Sequence, residues 1–173
     1  MTIQLIRPDA AYQASFIEAV AEFQAEEQHN YMNLDILTLQ ADFPAFVERQ
    51  LSQQPPFPGG VGQTLFWAVD EDGYIGRLAI RHALNDSLRI FGGHIGYNVR
   101  PSRRREGHGT RMLALALPHT RNLGIERVLI TCDETNIGSR KIIAANGGVL
   151  EKVVQLGFRE EPTLHWWIDL TQQ

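Results

Sequence analysis

The chain has 173 residues, of which 43% are hydrophobic and 21% charged, and its formal net charge is −4. These values are typical of a globular protein with a buried core, and we expect a single domain over residues 1–173. The acidic balance disfavours nucleic acid as a partner, because a surface that follows phosphates is normally basic. The single cysteine excludes an internal disulfide and favours a reducing cytoplasm. No apolar run approaches the roughly 20 residues that span a bilayer, so no membrane partner is expected.

The N-terminal third is predicted to be mainly helical. Alternation over residues 2–7 indicates a short first strand. Asp9 is a suitable N-cap for a helix with apolar residues at helical spacing, namely Phe16, Ile17, Val20 and Phe23. A second helix is predicted over residues 38–51, although Pro44 suits the first turn of a helix better than its middle.

In the middle of the chain, apolar and polar residues alternate in the way that is typical of β-strands. Residues 53–63 are rich in proline and glycine and are predicted to be a loop. Strands are predicted over residues 65–69 and 74–82, joined by the turn sequence Asp-Glu-Asp-Gly at 70–73. A further strand is predicted over residues 89–99, where Arg-Pro ends it.

The rest of the chain alternates between helices and strands. A loop at residues 102–109 opens a helix to about residue 122, which Gly124 ends. The remaining predicted elements are a strand, a helix and a terminal strand pair, over residues 126–132, 136–145, 149–155 and 164–170. This order predicts an α/β fold, a central mixed and mostly antiparallel sheet flanked by helices.

The loop before that long helix has the residues of an anion site. Arg104 and Arg105 can donate charge-assisted hydrogen bonds to phosphate oxygens. Gly107 and Gly109 lack a Cβ, so a phosphate can approach the N–H groups at the start of the helix. These groups carry a partial positive charge of about half a unit, and Thr110 adds a hydroxyl in the first turn.

Two other phosphate-binding motifs do not fit the residues of this loop. A Walker loop needs Gly-Lys-Ser/Thr, which is absent, and Met112 occupies the place of the third Rossmann glycine. A capped helix start with a solvated basic loop remains open as the alternative.

The C-terminal half resembles a known family. Residues 99–110 resemble motif A of the GCN5-related N-acetyltransferases (GNAT), in which Arg or Gln is followed by two residues, Gly, one residue, and Gly or Ala. Asn136, Ser139 and the Asn-Gly-Gly sequence at 146–148 resemble the motif that follows. The resemblance covers residues 64–170, and it extends to a bacterial branch of predicted acetyltransferases.

The resemblance implies a fold, an activity and a co-substrate. The fold would be the GNAT fold, with a splayed parallel strand pair at the acetyl-CoA site. The activity would be transfer of an acetyl group from acetyl-CoA to an amine of a small molecule or peptide, with no metal, and dimers are common in the family. A non-catalytic acyl-CoA-binding sensor or scaffold is the alternative, and thiol release in the presence of amines separates the two.

The resemblance also implies the residues that contact the co-substrate, which are Val99, Arg104, Arg105, Gly107, His108, Gly109, Thr110, Asn136 and Ser139. Within this set, we expect His108 to contribute its backbone while its ring faces outward. We expect Glu106 to face solvent, since an inward carboxylate would repel phosphates. Asn136 is also a candidate N-cap of the helix that follows it.

The catalytic candidates are His94 and Tyr97. His94 can change charge near neutral pH and is a candidate general base, with a histidine hydrogen-bonded within the sheet as the alternative. The family tyrosine, expected seven residues after Asn136, is Ile143 here. The proton for the departing thiolate would then come from Tyr97, Tyr31 or solvent.

The acceptor amine is not identified by the sequence. Its pocket is expected to draw on the segments at 29–35, 55–63 and 159–163. In the first of these, His29, Tyr31 and Asp35 are candidates, and an ordinary solvated loop is the favoured alternative.

Overall fold

The structure is a computed structural model that describes residues 2–28 and 31–171. The strands are β1 (Gln4–Ile6), β2 (Gln63–Asp70), β3 (Gly73–Arg81), β4 (Ile95–Val99), β5 (Arg127–Asp133), β6 (Val149–Val154) and β7 (Thr163–Asp169). The helices are α1 (Gln13–Ala25), α2 (Ile36–Ala41), α3 (Phe43–Leu51), α4 (Asp86–Ile90), α5 (His108–Asn122) and α6 (Ile137–Ala145). Short 3-10 turns precede α1 and α5.

The strands form two antiparallel sheets. One has the order β1-β2-β3-β4 and the other the order β5-β7-β6. The predicted turn at residues 70–73 joins β2 and β3, and the predicted C-terminal hairpin is confirmed, because β6 and β7 pair antiparallel. The predicted antiparallel arrangement with flanking helices is therefore confirmed, and the sheet is divided where β4 meets β5.

The division between the sheets is the predicted splay. The N–H group of His94 donates to the carbonyl of Leu129 at 2.7 Å, just before β4 begins. Gly93 allows this approach, since a Cβ there would lie 2.4 Å from the Leu129 oxygen. Farther along β4, no backbone hydrogen bond joins it to β5 in the described part of the chain. A gap therefore opens between two strands at the centre of the fold.

Two apolar clusters hold these layers together. The larger one contains residues of both sheets, including Leu78 and Ile168, together with α5 residues such as Leu113. The second is aromatic and lies between β2, β3 and helices α1 to α3, with Phe16 stacked on Trp67 at 4.6 Å between ring centroids. The larger cluster therefore packs residues of both sheets against each other beside the gap.

Two sequence predictions differ from the structure at capped turns. The predicted strand over 89–99 is wrong in its first half, because Asn85 caps α4 by accepting from the Leu88 N–H at 2.9 Å. The predicted helix over 38–51 is divided at Asp42, which caps α3. In both places a local side-chain hydrogen bond to the backbone starts a new helix.

Candidate functional site

The loop between β4 and α5 presents a run of unpaired backbone donors. Arg105 and Gly107 have positive φ angles of 65° and 80°, which turn successive N–H groups toward one side. The N–H groups of residues 105–110 have no acceptor among the residues that the structure describes. A Cβ added to Gly107 would meet nothing within 4 Å. Such a concave run at a helix N-terminus is an anion-binding site.

The two arginines that are predicted to bind phosphate differ in their contacts. Arg105 is exposed and has no ion pair or hydrogen bond in the described part of the chain. Arg104 donates through Nε to the Val99 carbonyl at 3.0 Å and pairs through Nη1 with Glu26 at 2.8 Å. Arg105 is therefore available to a ligand directly, whereas Arg104 has a competing carboxylate.

An acidic ridge on α1 anchors the loop. Glu18, Glu22 and Glu26 are four residues apart and so lie on one helix face. Arg100 pairs with Glu18 at 3.1 Å and with Glu22 at 2.7 Å. Ser102 donates to Glu22 from both its N–H and its hydroxyl. This ridge is absent from the sequence predictions, although the four-residue spacing of its glutamates is a signal that indicates it.

A second cluster fixes the loop from the sheet side. The carboxylate of Asp70 is buried and accepts from Nη2 of Arg103 at 2.6 Å. The ring of His108 packs beside this pair, with Nε2 at 2.9 Å from Glu106 Oε2. The prediction that the His108 ring faces outward is wrong, because the residue is only 5% exposed. The side chain of Glu106 is 53% exposed, as predicted.

The second glycine of the loop has a packing role. A Cβ on Gly109 would lie 2.5 Å from Cδ1 of Ile142 on α6 and 3.6 Å from Cγ2 of Val99. Glycine therefore lets α5 approach α6 and β4 closely, which adds to its predicted role at the phosphates. The Thr110 carbonyl accepts from the Asn146 amide at 3.2 Å, which ties the first turn of α5 to the end of α6.

Tyr97 and Ser139 connect the two sides of the gap. The Tyr97 hydroxyl lies 2.8 Å from Oγ of Ser139 on α6. Burial raises the pKa of Tyr97 above its ordinary value. Asn136 caps α6 by accepting from the Ser139 N–H at 2.9 Å, which confirms the N-cap prediction. Ile143 is fully buried, so the position of the family tyrosine carries no polar group.

His94 lies at the closed end of the gap with its ring fixed. Nδ1 accepts a hydrogen bond from the Leu129 N–H at 2.9 Å, so the neutral ring carries its proton on Nε2. Burial, with the nearby charges of Arg89 and Arg81, lowers the pKa of His94 to about 4. This geometry favours the alternative of a histidine hydrogen-bonded within the sheet.

Two of the three candidates in the first predicted acceptor segment, residues 29–35, have internal contacts in the structure. His29 lies outside the described residues. Tyr31 is only 1% exposed and stacks on Phe23 at 4.0 Å, so the solvated-loop interpretation is wrong for it. Its hydroxyl donates to Oδ1 of Asn98 at 3.2 Å. Asp35 caps α2 through the Thr38 N–H.

The other two predicted segments lie at separate places. The loop at 55–63 contributes to a cavity of about 210 Å³, whose lining residues include Pro55, Pro56 and Gln63. In the segment 159–163, Arg159 pairs with Asp133 at 2.8 Å. Among residues 2–28 and 31–171, no group of three His, Cys, Asp or Glu residues is arranged to hold a metal ion. No helix of the described chain is both long and apolar enough to cross a membrane.

The chain is similar to known proteins at the level of family and of fold. The family described as "Acetyltransferase (GNAT) domain" matches residues 9–149. No curated protein sequence matches the chain.

Similar solved structures share the fold. MccE, a microcin C7 self-immunity acetyltransferase solved with acetyl-CoA and AMP, has 16% identity and a TM-score of 0.70 over 96% of this chain and 92% of its own. RimJ of Mycobacterium smegmatis, solved with CoA-disulfide, has 20% identity and a TM-score of 0.67 over 98% and 83%. YncA of Salmonella typhimurium, solved with acetyl-CoA, has 15% identity and a TM-score of 0.64 over 100% and 96%. The chain therefore belongs to the GNAT family of acetyltransferases.

Proposed function

We propose that residues 105–110 bind the pyrophosphate of acetyl-CoA and that the gap between β4 and β5 receives its pantetheine arm. The observation that carries this proposal is the run of N–H groups without acceptors at the start of α5, directly beside the gap. Arg105 and the open side of Gly107 fit a doubly charged group there. Of the other predicted contacts, Asn136 and Ser139 border the gap from α6 and Val99 borders it from β4.

We propose that the chemistry needs one proton donor from the chain. Acetyl-CoA supplies a thioester, which a neutral amine attacks at the carbonyl carbon. The carbon–sulfur bond breaks, and Tyr97 donates its hydroxyl proton to the departing sulfur while Ser139 orients that hydroxyl at 2.8 Å. The amine loses one proton as the amide forms, and this proton restores Tyr97 through solvent. The products are an N-acetylated amine and coenzyme A.

The acceptor is proposed as an amine of a small molecule or peptide. Related folds serve different acceptors, since similar structures include a ribosomal L7/L12 α-N-protein acetyltransferase and a spermidine N-acetyltransferase. The identity of the acceptor must therefore come from this chain's own residues around β4.

A comparison of two donors tests the proposed phosphate site. S-acetylpantetheine carries the same thioester as acetyl-CoA but lacks the pyrophosphate and nucleotide. Binding measured by calorimetry is expected to be at least about 100-fold weaker for S-acetylpantetheine, since several charge-assisted hydrogen bonds are lost. Affinities within about threefold of each other would contradict the assignment of residues 105–110.

Removing the carboxylate that competes for Arg104 is expected to strengthen donor binding. In Glu26→Gln, Arg104 loses its ion-pair partner and can turn toward the phosphates, so the Kd for acetyl-CoA should fall about two- to fivefold, the scale of an exposed ion pair. Calorimetric titration measures the change. Glu48→Gln on α3, which has no described partner, is the matched control. A Kd that rises in Glu26→Gln would show that the ion pair holds Arg104 in its binding position.

We propose that His94 positions the strands and takes no proton. His94→Asn keeps an acceptor near Nδ1 for the Leu129 N–H and is expected to retain kcat within about threefold. The folded-state pKa is lowered to about 4 from 6.5, so His94 stabilises the fold fully above pH 6.5 and this contribution is lost as the pH falls toward 4.

Stability measured by denaturation between pH 4 and 7 checks this account. In the wild type the unfolding free energy should decrease as the pH is lowered from 7 to 4. His94→Asn should reduce this decrease by up to roughly 3 kcal/mol. His165, whose pKa is also lowered by burial, remains in both proteins, so the difference isolates His94. A loss of turnover above 100-fold in a folded His94→Asn protein would instead assign the base to this residue.

A further inference from the structure

Two arginines of β3 lie on one face of the sheet, next to the strand that borders the gap. Arg77 and Arg81 are separated by an even number of residues, so their side chains leave the strand on the same side. Arg77 is the register partner of Asn98 on β4. Directly opposite residues of antiparallel strands share a face. This arginine pair is thus one strand away from Tyr97 and Val99.

The arginine pair lacks the acidic partners that the loop arginines have. Arg77 is half-buried and has no hydrogen bond or ion pair in the described chain. Arg81 donates through Nη1 to the carbonyls of Gly92 and Gly93 at 3.0 Å each, and its other nitrogens have no described acceptor. Burial and then the charge of Arg77 lower the pKa of Arg81. Two arginines on one face without a described carboxylate partner produce a local field that favours an anion.

The guanidinium of Arg81 is held in a fixed orientation. The two carbonyl contacts hold Nη1, so the orientation of the group is set before any ligand arrives. Gly96 on β4 faces it, and a Cβ there would lie 3.5 Å from Nη2, an ordinary van der Waals contact. Asn98 adds a further donor, because its Oδ1 accepts from Tyr31 while its amide nitrogen has no described partner. Arg77, Arg81 and Asn98 therefore lie on one face, and each has at least one donor nitrogen without a described acceptor.

The cavity of about 210 Å³ lies next to this face. It is lined by Gln63 and Leu65, which are the register partners of Arg81 and Ala79, and it also contains Arg49. None of its lining residues is acidic. A ligand group in this cavity would thus meet positive and neutral side chains only.

We propose that the acceptor is an amine that carries an anionic group, a carboxylate or a phosphoryl group, and that Arg77 and Arg81 bind this group. The inference rests on the proposed function, since it concerns the acceptor of the same transfer. The anionic group would anchor the molecule on β3, and its amine would reach toward β4 and the gap. Neutral amines and polycations would lack this anchor, and polycations would be repelled.

A panel of matched amines tests the inference. The probes are free amino acids and their α-amides, together with O-phosphoethanolamine and ethanolamine, and the readout is release of free thiol from acetyl-CoA. The wild-type kcat/KM is expected to be at least about tenfold higher for the anionic member of the preferred pair. The two pairs distinguish a carboxylate from a phosphoryl group.

Substitutions of Arg77 and Arg81 test whether these two residues cause the preference for an anionic amine. Arg77→Gln and Arg81→Gln are each expected to raise KM for the anionic amine about 10- to 100-fold and to leave KM for its neutral partner unchanged. Arg127→Gln, at the start of β5 and over the ring of Trp167, is the matched control and should change neither value. Acetyl-CoA affinity should remain within about threefold in all three variants. Arg77 has no hydrogen bond or ion pair in the described chain, so its replacement breaks neither and decides the result if Arg81→Gln fails to fold.

A preference for neutral or polycationic amines, or an anionic preference that survives both variants, would overturn the inference. Thermal-shift measurements with coenzyme A present provide a second readout that needs no turnover, and they should give the same preference and the same dependence on Arg77 and Arg81. Failure of the proposed function gives a different pattern, in which acetyl-CoA affinity does not depend on residues 105–110. The two failures are therefore distinguishable.

Discussion

Gly107→Asp is expected to weaken acetyl-CoA binding by at least about 100-fold while the protein remains folded. The new carboxylate would occupy the open side of the N–H run, where it would accept those hydrogen bonds and repel the pyrophosphate. A Cβ at this position meets nothing within 4 Å, so the substitution creates no clash inside the protein. The φ of 80° costs an aspartate less than most residues, since Asp is among those that adopt this region.

Gly124→Asp is the matched control for this result. Gly124 lies just after α5, has a φ of 79°, and a Cβ there also meets nothing within 4 Å. The two variants therefore share the backbone cost and the added charge, but only Gly107→Asp places the charge at the start of α5. Calorimetry and thermal unfolding measure affinity and stability in both. Equal affinities in the two variants would remove the phosphate site from residues 105–110.

Tyr97→Phe is expected to lower kcat about 100-fold and to leave the Kd for acetyl-CoA within about threefold. The variant loses only the hydroxyl, so the ring still packs against the core. Burial raises the pKa of Tyr97, so the proton is present across the assay range. The wild-type kcat should accordingly show no fall near pH 10 from ionisation of this tyrosine, and a fall there that is lost in Tyr97→Phe would contradict the raised pKa.

Two further variants separate proton donation from packing. Ser139→Ala removes the hydroxyl that orients Tyr97 but keeps the donor, so its kcat should fall less than that of Tyr97→Phe. Tyr12→Phe removes a half-buried hydroxyl that has no described hydrogen bond and should change neither kcat nor Kd. Equal losses of turnover and of donor affinity in Tyr97→Phe would assign a structural role to the hydroxyl.

Much of the fold is specified by local signals in the sequence. The turn at 70–73, the helix that follows the loop at 102–109 and the N-cap at Asn136 depend on residues adjacent in the chain, and the structure has all three, with the helix starting at His108. Helix α4 was not predicted, because the apolar residues Leu88 and Ile90 fit a strand as well as a helix. The cap at Asn85 decides between these two structures.

The sequence predicts the backbone loop of the candidate site, but the side-chain contacts between distant segments become visible only in the structure. The glycine pattern identified the loop, but the direction of the His108 ring depends on a buried Asp70–Arg103 ion pair between distant segments. The acidic ridge on α1 likewise becomes meaningful only when α1 packs beside the loop. In the same way, the sequence places Arg77 and Arg81 on one strand face. Only the packed structure shows that neither of them forms an ion pair with a carboxylate of the described chain.

The most direct test of the account is the release of coenzyme A thiol in the presence and absence of amines. The account predicts that acetyl-CoA binds alone without release, and that an amine triggers thiol release in a one-to-one ratio with the N-acetylated product. Tight binding with no release across amino acids, phosphorylated amines, polyamines and peptide N-termini would contradict it. That result would identify a non-catalytic acyl-CoA-binding module instead.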